Sequence, residues 1–189
     1  IVDARTGATV AAEALVRWRH PEHGLLLPSE FIALAEENGL IVALGEWVFG
    51  EACRQVKAWN DAYPGRSLSL SVNISPRQLL DPDLVQRLRT ALTDNELDPS
   101  SMTLEITEGA LMQSLEETRL RLRELKSLGV RLAIDDFGTG SSSLGYLREF
   151  PIDELKIDRT FVRRMVDDPT KGTNLVRAIL GLARALHLE

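Results

Sequence analysis

The sequence has little of what several common kinds of functional site require. Among its 189 residues are one cysteine, Cys53, and three histidines, so it has neither an internal disulfide bond nor a Cys/His set for zinc. No apolar stretch approaches the ~20 residues of a membrane-spanning helix, and the N-terminus lacks a signal-peptide pattern. We therefore expect a cytoplasmic location, with Cys53 simply buried.

The charge balance also restricts the partners. The formal net charge is −6, so general binding to DNA is not expected, although a local basic pocket is compatible with that charge. The apolar fraction of 44% and charged fraction of 26% are ordinary for a globular protein. The length suits one domain or a large part of one, and no linker rich in Pro, Gly and Ser divides it.

Short apolar or alternating segments take turns with longer segments of helical spacing, which is typical of parallel β/α units. The predicted strands are Val10–Trp18, Leu68–Ile74, Met102–Thr107, Val130–Phe137 and Glu154–Ile157. Predicted helices begin at Pro28, Leu44, Pro82 and Leu115 and after Asp168-Pro169. In the second helix, Trp47 and Trp59 are expected to pack in the core. Both an open, doubly wound sheet and a closed barrel have this order of elements.

The two faces of each predicted strand differ, and this difference separates the two architectures. Because side chains alternate along a strand, Leu70 and Val72 share one face while Ser71 and Asn73 share the other. Other strands likewise carry a polar group near the C-terminal end of one face: Glu13, Glu105, Asp135 and Lys156. An open sheet covered by helices is apolar on both faces, whereas a barrel collects such residues at its C-terminal mouth. The sequence therefore predicts an α/β barrel of the TIM type.

Gathered at one mouth, four carboxylates and an amide would repel one another unless a cation were present. These groups belong to Glu13, Asn73, Glu105, Asp135 and Asp136. Ligand sets made of oxygen alone select hard ions such as Mg²⁺ or Mn²⁺. Two ions ~4 Å apart, with Asp135 bridging them and Asp136 holding the second, would suit a phosphoryl substrate.

Two basic residues complete this hypothesis. Lys156 is placed to orient an attacking water or to offset developing negative charge, and Arg17 to hold a phosphate through its fork of donors. Taken singly, each polar residue is more typical of a solvated surface group, a cap or a turn. The coincidence on five strands is what favours a site.

At these positions the sequence resembles a known family, the bacterial EAL domains. The motifs that carry the resemblance, in order, are EALVRW (Glu13–Trp18), SVNISPRQL (Ser71–Leu79), LEITE (Leu104–Glu108), DDFGTGSSSLGYL (Asp135–Leu147) and LKIDRTFV (Leu155–Val162). The resemblance covers essentially the whole chain. It implies a modified TIM barrel that hydrolyses cyclic di-GMP to linear pGpG with Mg²⁺ or Mn²⁺, lowering this bacterial second messenger.

The resemblance also implies a metal centre of two ions. It implies that one ion is bound by Glu13, Asn73, Glu105 and Asp135, and that Asp135 and Asp136 take part at the second. Ca²⁺ is expected to inhibit. Glu13 and Asp136 are thereby counted with the catalytic residues.

Three further residues match positions with family roles. Lys156 matches the lysine that contacts the catalytic water, and Arg17 the arginine that binds a substrate phosphate. Glu108 matches a glutamate that stabilises the loop after the aspartate pair. In that loop Ser141 replaces a common aromatic residue, from which we expect a modest effect on loop packing or dimerisation.

The family pattern is wider than this chain. It begins before Ile1 and continues past Glu189 with two strands, the first of which ends in a glutamate that supports the second metal. Residues 1–189 are therefore expected to be an EAL phosphodiesterase domain that lacks the start of the first strand and the last two strands. It would hold about six of the eight strands. Weak or absent catalysis is expected for the isolated segment.

The resemblance names partners and leaves one alternative function. It implies cyclic di-GMP as the ligand, a homodimer, and GGDEF or sensory domains elsewhere in a longer protein. Any membrane anchor of that longer protein would belong to those other domains. The alternative is a cyclic di-GMP receptor that does not hydrolyse its ligand. Degenerate EAL relatives of that kind lose acidic ligands, and here all those within range are present.

Overall fold

The computed structural model describes residues 1–65, 67–138 and 147–189, and in them a parallel sheet forms the centre of the protein. Its strands, in spatial order, are β1 (Ala11–Ala14), β4 (Ser69–Ile74), β5 (Met102–Thr107), β6 (Arg131–Phe137) and β7 (Glu154–Ile157). Every neighbouring pair is parallel, and the sheet curls into a half-barrel. The antiparallel hairpin of β2 (Trp18–His20) and β3 (Gly24–Leu26) is separate from it. The predicted incomplete barrel of the TIM type is confirmed.

Helices connect and cover these strands. Within the described ranges they are α1 (Pro28–Glu37), α2 (Leu40–Ala62), α3 (Pro76–Leu79), α4 (Leu84–Asp94), α5 (Glu108–Leu111), α6 (Leu115–Leu128), α7 (Arg159–Asp167) and α8 (Pro169–Ala185). In these same ranges, no helix combines the length and the apolar character needed to cross a membrane.

Capped helical turns follow directly where three strands end. After β4, the Ser75 hydroxyl accepts from the Gln78 amide and the Gln78 side chain accepts from the Ser75 amide, which is a capping box. After β5, Thr107 caps α5 through the Ala110 amide. After β7, Asp158 caps α7 through the Thr160 amide. These caps fix the direction in which the chain leaves the C-terminal edge of the sheet.

The predicted alternation of the strands is confirmed by the core. Apart from Ala133, the buried apolar residues of β4, β5 and β6 up to Ile134, with the residue before β6, are even-numbered, and they pack with buried residues of α2, α4 and α6. They are Leu70, Val72, Ile74, Met102, Leu104, Ile106, Val130, Leu132 and Ile134. Cys53 of α2 is fully buried in this core, and burial raises the pKa of its thiol to about 11, so it is protonated and unreactive at neutral pH.

The predicted first strand, Val10–Trp18, is too long. Pairing of β1 with β4 ends at Ala14, and Trp18 instead pairs with Leu26 in the hairpin, where Gly24 at the start of β3 lies in the left-handed region. Arg17 therefore lies between two strands and not on the face that carries Glu13.

The predicted burial of two tryptophans is also wrong. Trp47 is 60% exposed and Trp59 is 39% exposed. The buried face of α2 is instead made by Ile41, Gly45, Phe49, Cys53 and Val56, whose spacing of three or four residues leaves both tryptophans off that face.

The backbone of Glu189, the last residue, is hydrogen-bonded to the chain beside β7. Its amide donates to the Asp153 carbonyl over 2.9 Å, and its carbonyl accepts from the Leu155 amide over 2.9 Å. This pair of bonds is the pattern of a parallel ladder. Within the described residues the sheet thus has five strands, with Glu189 hydrogen-bonded at its β7 edge, and the expected number of about six strands stays a prediction.

An ionic cluster lies at the N-terminal ends of the strands, and we call Thr103, Arg131, Glu154 and Glu189 the base cluster. The Arg131 Nε donates to Glu154 Oε1 over 2.7 Å and its Nη2 to Glu189 Oε2 over 2.6 Å. The Thr103 hydroxyl also donates to Glu154 Oε1, over 3.2 Å. Each carboxylate of this cluster therefore has its own donor.

Candidate active site

Five strands each bring one polar side chain to the C-terminal edge of the sheet. We call this set the mouth cluster: Glu13 of β1, Asn73 of β4, Glu105 of β5, Asp135 of β6 and Lys156 of β7. Asn73 and Glu105 are register partners across β4 and β5. The structure thus brings together the residues for which the sequence predicted convergence.

Lys156 lies at the centre of the mouth cluster. Its Nζ is 2.6 Å from Glu105 Oε2, 3.3 Å from Asp135 Oδ1 and 3.9 Å from Glu13 Oε1. The Asn73 Nδ2 donates to Glu13 Oε1 over 3.1 Å. Oxygen atoms from three strands therefore surround one cation.

The charges of the mouth cluster are not balanced, because one ammonium faces three carboxylates. The side chain of Glu105 is only 1% exposed, and burial raises its pKa. Contact with Lys156 opposes that rise, while the charges of Glu13 and Asp135 add to it. For Lys156, burial works to lower the pKa, but contact with Glu105 and the other carboxylates outweighs burial and the net pKa is raised. A further cation would relieve the excess negative charge.

A β-bulge explains how two consecutive aspartates reach the same edge. Ile134 pairs with Leu155 and Phe137 pairs with Ile157, so Asp135 and Asp136 together lie opposite the single residue between those partners. The next core residue after Ile134 is accordingly Phe137, which breaks the even-numbered series. Without the bulge, alternation would turn Asp136 toward the apolar core.

Asp136 itself has an unusual backbone and an acidic neighbour. Its φ of 53° lies in the left-handed region, which residues other than glycine seldom adopt. The side chain of Asp158 lies close enough to influence its titration. Burial, followed by the charges of Asp135 and Asp158, raises the pKa of Asp136, and Lys156 opposes the rise.

Glu108 lies at the turn that follows the aspartate pair. It is 3% exposed, and its Oε2 accepts from the Gly138 amide over 3.0 Å. This contact is where a residue that stabilises the following loop should act. Ser141 and the rest of the loop predicted from Gly138 to Ser143, beyond Gly138 itself, lie outside the described residues, so the expectation attached to Ser141 stays a prediction.

Arg17 is apart from the mouth cluster. Its side chain is exposed, and its Nη1 donates to the neighbouring Val16 carbonyl over 2.8 Å. A cavity of about 580 Å³ opens beside Glu13 and Asn73, with apolar walls from α1, α2 and β4. The contact between Arg17 and a phosphate stays a prediction.

The donors of the mouth cluster suit a hard divalent ion in kind but not yet in placement. Carboxylate and amide oxygens are what Mg²⁺ and Mn²⁺ prefer. Among residues 1–65, 67–138 and 147–189, however, no group of three or more His, Cys, Asp and Glu side chains stands close enough to hold a metal ion. The Lys156 ammonium lies between the oxygens instead. A metal would require this ammonium to withdraw and the Asn73 amide to turn its oxygen inward.

Sequence reasoning missed two features of the site, Asp158 and the bulge. Asp158 carries a signal in its spacing, because Asp-x-Thr directly after a strand is a helix cap that fixes its carboxylate near the strand end. The bulge is indicated by the two-residue gap between the apolar residues Ile134 and Phe137, where strict alternation requires one residue.

Comparisons with known proteins find one family model and several relatives that agree with one another. The family model for the EAL domain matches residues 1–189. The chain is 44% identical over 186 residues to the bifunctional diguanylate cyclase/cyclic di-GMP phosphodiesterase MucR of Pseudomonas aeruginosa, covering 98% of this chain and 27% of MucR. It is 46% identical over 185 residues to a signalling protein of Caulobacter vibrioides, covering 98% of this chain and 22% of that protein. The chain thus spans about a quarter of the length of these relatives.

Solved structures agree with the fold. The PaMucR phosphodiesterase in complex with c-di-GMP superposes with a TM-score of 0.91 at 44% identity, over 99% of this chain and 75% of that one. The EAL enzyme Bd1971, bound to cAMP and cyclic-di-GMP, has a TM-score of 0.91 at 34% identity, over 100% of this chain and 51% of that one.

Proposed function

The chain belongs to the EAL domain family, and from that premise we propose that it hydrolyses cyclic di-GMP to linear pGpG with the help of Mg²⁺ or Mn²⁺. The observation that carries the proposal is the mouth cluster, in which five strands direct three carboxylates, an amide and an ammonium to one place. An excess of negative charge of this kind is costly unless a cation compensates it. MucR and Bd1971, named for this ligand or activity, share the fold.

The chain's own residues would hold two ions. Glu13, Asn73, Glu105 and Asp135 are the proposed ligands of the first, and Asp135 and Asp136 of the second. The bulge supports this division, because it presents both aspartates on one edge of the sheet. When bound, such ions polarise the phosphoryl group and lower the pKa of a water molecule.

The remaining steps follow from the basic residues and the substrate. Water attacks phosphorus in line with the ribose 3′-oxygen, the P–O3′ bond breaks, and the 3′-oxygen leaves with a proton, so that one water is consumed. Lys156 keeps its proton because its pKa is raised, and its ammonium orients the water or offsets the charge that develops on phosphorus. Arg17 would bind the non-reacting phosphate. The cavity beside Glu13 has room and apolar walls for part of the dinucleotide.

Assembly and attached domains belong to the same proposal. The partners we expect are a second copy of the chain and GGDEF or sensory domains in a longer protein. We also expect inhibition by Ca²⁺ and a stabilising role for Glu108 at Gly138. Size-exclusion chromatography with light scattering tests the dimer directly. A monomer at all concentrations would contradict that part.

The test of hydrolysis is a single-turnover experiment, since slow turnover by the segment is then still detected. The protein is held in excess over cyclic di-GMP with Mg²⁺ or Mn²⁺, and products are separated by ion-pair chromatography. We expect pGpG to form, and to form far more slowly with Lys156→Met. A parallel calorimetric titration in Ca²⁺ measures ligand binding without turnover. Binding in Ca²⁺ with no pGpG in Mg²⁺ or Mn²⁺ would overturn hydrolysis in favour of a receptor.

A further inference from the structure

The end of β6 and the turn that follows it, residues 136–138, have left-handed backbone on both sides of one buried residue. Asp136 has φ 53° and Gly138 has φ 92°, and both values are left-handed. Between them, Phe137 is 4% exposed and belongs to the core. For Asp136, which is not a glycine, this backbone is strained and persists only where the surrounding structure holds it in place.

Gly138 lies directly against the ring of Phe161, in the first turn of α7. A Cβ placed on Gly138 would be 2.7 Å from Phe161 Cζ and 2.9 Å from Cε2, so the ring fills the space that any side chain here would need. Phe161 is 7% exposed. On the other side of the turn, Glu108 Oε2 accepts from the Gly138 amide. The backbone of Gly138 is thus held between a carboxylate and an aromatic ring.

Helix α7 can act as a fixed support for this turn. At its start, Asp158 caps the helix by accepting from the Thr160 amide over 2.9 Å. Near its end, α7 packs closely on α8, because a Cβ on Gly172 would be 2.5 Å from Met165 N. The position of the Phe161 ring is therefore fixed by the helix that carries it.

We propose that Phe161 is a positioning residue for the aspartate pair: its ring sets the height of Gly138 and so keeps the bulge that presents Asp135 and Asp136 together. The inference rests on the proposed function for its consequence in metal binding, but the geometry of the turn is independent of that function. A role limited to core packing would make Phe161 equivalent to any phenylalanine of equal burial. Phe150 offers that comparison, since it too is 7% exposed and in the same core.

Two substitutions displace the turn in opposite directions. Phe161→Leu withdraws the ring from Gly138 while keeping the site apolar. Phe161→Tyr adds an oxygen at Cζ, the ring atom nearest to the position of a Cβ on Gly138, and so pushes the turn outward. Phe150→Leu and Phe150→Tyr are the matched controls, and melting temperatures show whether each pair is equally destabilised.

The first readout is amide hydrogen exchange of Gly138, followed by NMR in the metal-free protein. We expect both Phe161 variants to speed this exchange about tenfold over the Phe150 variants, because the bond to Glu108 opens locally. Equal exchange in the two series at equal melting temperature would overturn the proposal.

The second readout is Mn²⁺ binding, measured by titration calorimetry. The Phe161 variants should bind Mn²⁺ about tenfold more weakly than the Phe150 variants, as expected when a group supporting a metal ligand is changed. Equal affinity in the two series would also count against the positioning role. If the unchanged protein binds no Mn²⁺ and forms no pGpG, the proposed function fails by itself. The exchange of Gly138 then decides the role of Phe161 alone.

Discussion

The same face of the sheet carries an ionic cluster at each end, and the two differ in how their charges are matched. In the base cluster, Arg131 donates separately to Glu154 and Glu189, and Thr103 adds a further bond to Glu154. In the mouth cluster, three carboxylates share the ammonium of Lys156. Because β5, β6 and β7 contribute to both clusters, the difference is not a property of the strands. The base completes its interactions within the protein, whereas the mouth is built for something that must be added.

The largest effect that tests this difference between the two clusters is expected from replacing one lysine near each end of the sheet. Lys156→Met should lower the rate of cyclic di-GMP hydrolysis about 10²–10³-fold, as loss of an electrostatic group at a reacting centre does. Lys126 is the control, because its side chain is also 30% exposed and its Nζ bonds Asp153 over 2.8 Å near the base. Lys126→Met should leave the single-turnover rate near that of the unchanged protein. Equal losses of rate would remove the distinction.

Divalent ions should stabilise the mouth and not the base. At a Mg²⁺ concentration about 100-fold above the dissociation constant, the free energy of unfolding should rise by about 2.7 kcal/mol. Urea unfolding with and without Mg²⁺ measures this gain. Glu105→Gln should abolish it, while Glu154→Gln should keep it. A gain that survives Glu105→Gln would mean that the ion binds elsewhere.

At the base, the expected loss is of stability alone. Arg131→Met should lower the free energy of unfolding by about 1–2 kcal/mol, less than a fully buried pair would, because Arg131 is 34% exposed and Glu189 is 76% exposed. The rate of hydrolysis and the gain in Mg²⁺ should be unchanged. Urea denaturation and the single-turnover assay check both parts.

The pH dependence of the free energy of unfolding should reveal the buried carboxylate of the mouth cluster. Because the folded protein raises the pKa of Glu105, its contribution is present below the ordinary glutamate pKa and is lost as pH rises through the folded value. As the pH rises from the ordinary glutamate pKa to the raised pKa of Glu105, the metal-free protein should therefore lose more stability than the metal-free Glu105→Gln variant. Lys156 contributes a constant amount there, since its raised pKa is far above. Identical profiles of unfolding free energy against pH for the two proteins would contradict the conclusion that burial raises the pKa of Glu105.

The smallest effect is expected from a single hydroxyl at the base. Thr103→Val removes the 3.2 Å bond to Glu154 and should cost about 0.5–1 kcal/mol of unfolding free energy. Because Glu154 keeps Arg131, neither Mg²⁺ binding nor hydrolysis should change. Thermal unfolding followed by circular dichroism is sufficient to detect it.

Much of the fold followed from alternation in the sequence. The residues Leu70, Val72, Leu104 and Ile106 lie in the core as their parity required, and the opposite parity correctly placed Glu105 at the mouth. Parity works here because one face of each strand must lie under helices while the other faces the barrel interior. The same physical asymmetry made the spatial convergence of the site predictable, whereas metal binding and residue roles stay predictions.

Alternation failed where the backbone departs from a regular strand. Arg17 was assigned to the strand of Glu13, but the competing pairing of Trp18 with Leu26 takes the chain out of the sheet first. Asp136 reaches the mouth through a left-handed backbone, which no count of apolar residues specifies. Nor does local spacing reveal that Glu154 of β7 meets Arg131 of β6, because that contact depends on strand register.

The bulge makes strand β6 sensitive to changes in its length. Deleting either aspartate would restore the regular register and keep Phe137 in the core, and the strand would survive with one carboxylate fewer. Conversely, substituting both aspartates leaves the extra residue in place, and with it the strained backbone. The backbone shape of the strand and its acidic side chains are therefore separable by mutation. A homologue that lost both aspartates by substitution would keep the bulge.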